Sequence, residues 1–128
     1  KLRSDPRVVC LEKTHARDLA ADQFDPRPDL AAIDVSFISL TNVLPHVLPC
    51  LARPFDIVAL IKPQFELGPK DAPKGVVHTE ENRLKAVAIV AAGLPGLGLS
   101  QAGLLECPVH GPKGNVEYFL HLAPKGEF

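Results

Sequence analysis

Tryptophan and methionine are absent from this chain, tyrosine occurs once, and aromatic residues make up only 5% of it. Those gaps exclude little by themselves. The lack of a long apolar run excludes more. The most apolar stretch, residues 86–98, is broken by glycines and a proline and falls short of the ~20 residues a membrane-spanning helix needs. No basic segment leading into a signal-like apolar core is present, so the expected location is cytoplasmic, with no membrane partner. A dominant charge is lacking too, the formal net charge being −1. The chain as a whole is therefore no electrostatic magnet for nucleic acid, and an RNA partner would have to be drawn by a local basic patch or by another domain. Cysteine is scarce. Cys10, Cys50 and Cys107 are odd in number, far apart and each set in an apolar run, which predicts buried free thiols. Neither a repeat nor a low-complexity segment occurs.

What is present suits one globular domain. The chain has 128 residues, 46% of them hydrophobic and 23% charged, enough apolar material for a core and too much for disorder. Its thirteen prolines imply loops with rigid connections. Residues 1–6 read as a loop and 7–11 as a short strand with no earlier element to pair with. A helix is expected over 16–23, then a Pro-rich turn at 25–29. Residues 30–34 and 56–62 are apolar nearly throughout, as strands covered on both faces should be. Ser39 can cap a helix whose apolar positions Leu40, Val43, Leu44, Val47, Leu48 and Leu51 follow helical spacing, with Pro45 and Pro49 marking a kink or an opening. Thr79 caps a second helix to about Ala92, with Glu80 and Glu81 in the first turn where the dipole favours them. Two strands, 99–107 and 116–122, close the chain around the loop 110–115.

Strands alternating with helices predict an α/β fold with a mostly parallel sheet and a terminal antiparallel hairpin. Ligands bind such sheets beyond the carboxyl ends of the parallel strands. Asp34 and Lys62 close two of those strands, and Glu117 starts the strand that returns to the same rim. An acid, a lysine and a second acid there could be a metal site, an ion-pair network or a proton-transfer group. The lysine argues against a metal, and His46, His78, His110 and His121 have no metal-ligand spacing. Ser36 and Ser39 lie in no nucleophile elbow. Gln64, Lys70, Lys74 and Lys113 are candidates for RNA phosphate contacts, although scattered lysines are usually only solvated. Phe65 would stack on a base or simply seat its loop.

Four segments occur in order: Asp34-Val35-Ser36-Phe37-Ile38-Ser39-Leu40, Lys62-Pro63-Gln64-Phe65-Glu66, Lys74-Gly75-Val76-Val77 and Gly111-Pro112-Lys113-Gly114-Asn115-Val116-Glu117. Together with Asp5-Pro6-Arg7-Val8-Val9 and Leu11-Glu12-Lys13-Thr14, they closely resemble the TlyA (hemolysin A-like) family of RNA 2′-O-methyltransferases, across essentially the whole chain. The resemblance implies a Rossmann-like class I methyltransferase fold lacking its first strands, residues 1–128 being the carboxyl-terminal part of an FtsJ-like catalytic domain. It implies an enzyme that uses S-adenosylmethionine to methylate ribose 2′-hydroxyls of ribosomal RNA, with ribosomal RNA or ribosomal subunits as partners.

Within the family's Lys-Asp-Lys-Glu group, Asp34 matches the acid, Lys62 the second lysine, which is taken as the base, and Glu117 the closing glutamate. Thr14, His15 and Asp34 match positions near the cofactor, His15 standing where relatives more often carry asparagine. The family's first lysine, its glycine-rich cofactor loop and its amino-terminal S4-like domain have no match in these residues, so the fragment is expected to be inactive alone and either to self-associate or to have its first strand displaced. Alternatives are a non-catalytic RNA- or ribosome-binding module of the same fold and a membrane-active hemolysin. The second of these lacks the basic amphipathic helix it would need.

Overall fold

The computed structural model describes residues 2–126. Four strands form one sheet: β1 (Leu30–Ile33), β2 (Asp56–Ile61), β3 (Leu99–Glu106) and β4 (Tyr118–Pro124). Their order is β1-β2-β4-β3, with β1 parallel to β2 and β4 antiparallel to both β2 and β3. Three strands therefore share one direction, and the last strand runs against them between β2 and β3. This is the expected mixed α/β architecture with its terminal hairpin.

Helices α1 (Leu40–Val47), the single turn α2 (Pro63–Glu66) and α3 (Glu80–Gly93) connect the strands. The caps fall where expected: Ser39 Oγ accepts from the Thr41 amide at 3.2 Å and Thr79 Oγ1 from the Asn82 amide at 3.1 Å. Each satisfies a donor that the first helical turn leaves unpaired. Pro45 lies inside α1, and past Val47 the chain tightens into a 3-10 turn, Leu48–Cys50, with Pro49 at its start.

One face of the sheet is covered. Ile57, Ala59 and Ile61 of β2 and Tyr118, Leu120 and Leu122 of β4 alternate onto it and pack with Leu40, Val43 and Leu44 of α1 and Val90 of α3. Burying each such side chain contributes about 1.5–3 kcal/mol, so this layer carries most of the cohesion. The opposite face is more open. Val58 is 38% exposed, Leu30 63% and Leu105 65%, and Asp56 bonds His121 across that face at 2.8 Å.

Four expectations change. Strands 30–34 and 56–62, expected to be covered on both faces, are covered on one, with Leu30 and Val58 exposed on the other. Residues 7–11 form no strand, because among the described residues no neighbouring strand takes their backbone hydrogen bonds, and the segment is held by bonds such as Arg7 to Asp5. Cys10 is therefore exposed, while Cys50 and Cys107 are buried free thiols as expected. Residues 16–23 are not one helix but two 3-10 turns, Ala16–Asp18 and Ala21–Gln23, separated by Leu19 and Ala20 in extended conformation.

Candidate active site

Strand β1 ends one residue before Asp34 and β2 one residue before Lys62, so parallel pairing brings the two side chains to the same rim. Lys62 Nζ lies 2.5 Å from Asp34 Oδ1 and donates to Ser36 Oγ at 3.3 Å. The lysine side chain is only 11% exposed, whereas Asp34 is 66% exposed. An ion pair with one partner so open to water contributes about 0–1 kcal/mol, too little to be the reason for its presence.

Glu117 immediately precedes Tyr118, the cross-strand partner of Ile61, so Glu117 and Lys62 flank the last pair at the same end of β2 and β4. Its carboxylate does not join the Asp34–Lys62 pair. Glu117 is buried, and its Oε2 accepts from Gln64 Nε2 at 3.0 Å. Gln64, a candidate phosphate contact in the sequence, is thus an interior residue facing an acid. The same carboxylate lies against Gly111, where a Cβ would collide with Oε2.

The segment from Lys62 to Glu66 ties several parts of the rim together. Glu66 accepts from Ser39 Oγ at 2.7 Å and from the Leu40 amide at 2.9 Å, which anchors the amino end of α1, and its negative charge suits that end of the helix dipole. Phe65 packs on Phe37 with ring centroids 4.8 Å apart. Phe37 is 88% exposed and has φ of +64°, a left-handed conformation uncommon for a bulky side chain.

Below the rim, two Pro-Lys-Gly turns, Pro73–Gly75 and Pro112–Gly114, have nearly the same shape, each with its lysine in the left-handed region. Asn115, 2% exposed, binds them: Oδ1 accepts from the Val77 amide at 3.0 Å, and Nδ2 donates to Gly75 O at 2.8 Å and Pro112 O at 3.0 Å. Lys113 Nζ adds a bond to Lys74 O at 2.8 Å. Asn115→Ala strands buried polar groups at about 1–3 kcal/mol each and is expected to cost about 2–4 kcal/mol in total. The measurement is a urea denaturation curve, where the midpoint should fall at unchanged slope. An unmoved midpoint would show the brace to be dispensable.

Two cavities lie beside the partners of Lys62. One, of about 330 Å³, is lined by Thr14, His15 and Asp34 together with Ala16, Val35, Val43 and Val47 among others. The other, of about 240 Å³, is lined by Ser36, Phe37, Gln64, Phe65 and Lys113 among others. The two partners of Lys62, Asp34 and Ser36, belong to one cavity each. Of the residues singled out in the sequence, Thr14, His15 and Asp34 share the first cavity, Lys62 lines neither but bonds one residue of each, and Glu117 bonds Gln64, which lines the second. The roles of Gln64, Glu66 and Asn115 were not visible in the sequence, although all three lie in the segments quoted above.

An ion-paired lysine at the carboxyl ends of two parallel strands, with a cavity beside each of its two partners, marks the edge of an α/β sheet where such folds bind their ligands. The chain belongs to the FtsJ-like methyltransferase family, which matches residues 1–123. It is 49% identical over 122 residues to the 16S/23S rRNA (cytidine-2′-O)-methyltransferase TlyA of Mycobacterium tuberculosis, covering 94% of this chain and 46% of that protein. It is 36% identical to Hemolysin A of Brachyspira hyodysenteriae, covering 94% of this chain and 51% of that protein. A solved protein from Streptococcus thermophilus described under a hemolysin name superposes with a TM-score of 0.92 at 36% identity, covering 98% of this chain and 46% of that one. The chain thus spans about half the length of these relatives. Among the described residues no helix is long and apolar enough to cross a membrane.

Proposed function

We propose that the protein carrying this chain is an S-adenosylmethionine-dependent methyltransferase that modifies ribose 2′-hydroxyls of ribosomal RNA in the cytoplasm. One observation carries the reading: Lys62 bonds Asp34, which lines one cavity, and Ser36, which lines the other. A group donated from one cavity and a hydroxyl offered from the other would meet beside a proton acceptor.

The first cavity fits the nucleoside part of the cofactor. Thr14, His15 and Asp34 provide polar edges, and Ala16, Val35, Val43 and Val47 provide apolar walls for a flat base. When bound, S-adenosylmethionine supplies an electrophilic methyl group. After giving up its own ammonium proton to solvent, Lys62 takes the proton released by the 2′-hydroxyl as that oxygen becomes the nucleophile, and Asp34 keeps the lysine at the rim. Glu117 is the group's second acid and helps orient the ribose. In the second cavity Phe37 and Phe65 offer an aromatic surface to a base, with Lys113 at its border. The open sheet face and the unpaired edge of β1 support self-association of this chain in isolation.

The test is transfer of labelled methyl groups from S-adenosylmethionine to ribosomal subunits by the complete protein. The label is expected at a ribose, where it protects the adjoining phosphodiester from alkaline cleavage. Label on a base would overturn the 2′-O assignment, and tight RNA binding without transfer would leave a binding module instead. In the same assay Phe37→Ala should weaken RNA binding by about 1–3 kcal/mol, the worth of one stacked base. Its melting temperature should be nearly unchanged, because the side chain is already exposed.

A further inference from the structure

We propose that Gln64 is a positioning residue for Glu117, an inference that rests on the function given above. Gln64 and Glu117 are 8% and 6% exposed, and the amide Nε2 donates to the carboxylate Oε2 at 3.0 Å across 53 residues of sequence. Charge fixes the orientation of the amide, since a flipped Gln64 would turn its oxygen onto a carboxylate. Its own Oε1 is buried with no hydrogen-bond partner among the described residues. A buried acceptor left unmade costs about 1–3 kcal/mol, so an apolar side chain would fill this space at lower cost if filling space were the task.

The task is set by the neighbours. Lys62 and Glu117 flank the same terminal cross-strand pair, Ile61 with Tyr118, and their opposite charges attract. Lys62 is nevertheless bonded to Asp34 and Ser36, and Glu117 to Gln64. Gln64 holds the glutamate to the corner between β2 and α2, with Gly111 leaving room on the other side, and so keeps the lysine free to serve the two cavities. The charged and titratable groups on the elements around Glu117 include Lys62 and Glu66 on the β2–α2 segment, Glu106, His110, Lys113 and Tyr118 on the hairpin, and Lys74 and His78 on the facing loop. None of them differs among the Gln64 variants.

The experiment measures methyl transfer by the complete protein carrying Gln64→Leu, Gln64→Glu or Glu117→Gln, each scaled to the folded fraction from thermal melts. Gln64→Leu should lower kcat by ~10- to 100-fold, the cost of a displaced group, with KM for S-adenosylmethionine within about twofold of wild type. Gln64→Glu places two carboxylates in contact, and such a pair retains one shared proton to a higher pH than either acid alone. Below that apparent pKa the protonated partner can donate as the amide did, and above it the two repel. The ratio of Gln64→Glu to wild-type activity should therefore rise as the pH is lowered from about 8.5 to about 6.5, while the Gln64→Leu ratio stays flat. A purely structural role predicts wild-type kcat per folded Gln64→Leu molecule and a flat ratio for Gln64→Glu, and either result would overturn the proposal. The Glu117→Gln arm separates the two readings. If it keeps full turnover, the place of Glu117 in the catalytic group fails and the proposal fails with it. If it loses turnover while the Gln64 variants do not, only the proposal about Gln64 fails.

Discussion

Lys62→Ala is expected to abolish methyl transfer by the complete protein while leaving cofactor binding nearly intact. The substitution removes the proton acceptor between the two cavities, and general-base catalysis contributes ~100- to 10,000-fold. Binding should survive because Thr14, His15 and Asp34, which line the first cavity, are untouched. Lys62→Arg should not rescue activity, since a guanidinium stays protonated and cannot take the hydroxyl proton. A strand-end salt bridge of structural purpose predicts the reverse, lower stability with unchanged turnover of the folded fraction. The exposure of Asp34, 66%, already limits what such a bridge can contribute. Turnover per folded molecule, measured beside thermal melts and cofactor titration, decides between them. Wild-type turnover in a folded Lys62→Ala protein would sink the assignment.

Gly111→Ala is the second large effect, and it comes from a single methyl group. The backbone poses no obstacle: φ at Gly111 is −78°, which any residue adopts. The obstacle is the carboxylate of Glu117, whose Oε2 and Cδ would lie 2.2 and 2.6 Å from the new Cβ. Real atoms do not approach so closely, so the glutamate must swing away and lose its bond to Gln64. Misplacing a group in an active site by ~1 Å can cost ~100-fold in rate, and a loss of that order is expected here. Because the end of a side chain can move more easily than backbone, the fold should survive with a stability loss of only about 1–2 kcal/mol. Activity and melting temperature measured on one preparation would show this split. Full activity would mean that the seat of Glu117 is immaterial.

Much of the scaffold was legible because its signals are local. The strand character of 30–34 and 56–62 and the capping hydroxyls of Ser39 and Thr79 each act within a few residues, so the sequence carries them openly, whereas the cover expected on both strand faces depends on distant elements and is present on one face only. The strand-end positions of Asp34 and Lys62 followed from the same boundaries. Glu117 was also placed at the correct rim, but its partner was not foreseen. Gln64 reads as an ordinary loop amide until the sheet brings β4 against β2, and a pairing across 53 residues leaves no periodic trace. Glu66 is a similar case: it holds the amino end of a helix that begins 26 residues earlier. Residues 7–11 failed in the opposite way. Their apolar run has strand character, but a strand exists only where a neighbour accepts its hydrogen bonds, and local pattern says nothing of that.

The position of β4 bears on how the molecule is made. This strand, Tyr118–Pro124, is the last of the four to leave the ribosome, yet it occupies the middle of the sheet, with β2 on one side and β3 on the other. Until it emerges, β2 has β1 as its only neighbour among the described strands and β3 has none of them. Translation proceeds at ~5–20 residues per second, so the growing chain carries these unpaired edges for a time on the order of seconds. This order predicts a late closure, in which one strand joins two ladders and seats Glu117 against Gln64 in the same step. Assembly of the rim is thereby tied to completion of the sheet, and a nascent chain that stops short of Tyr118 has neither.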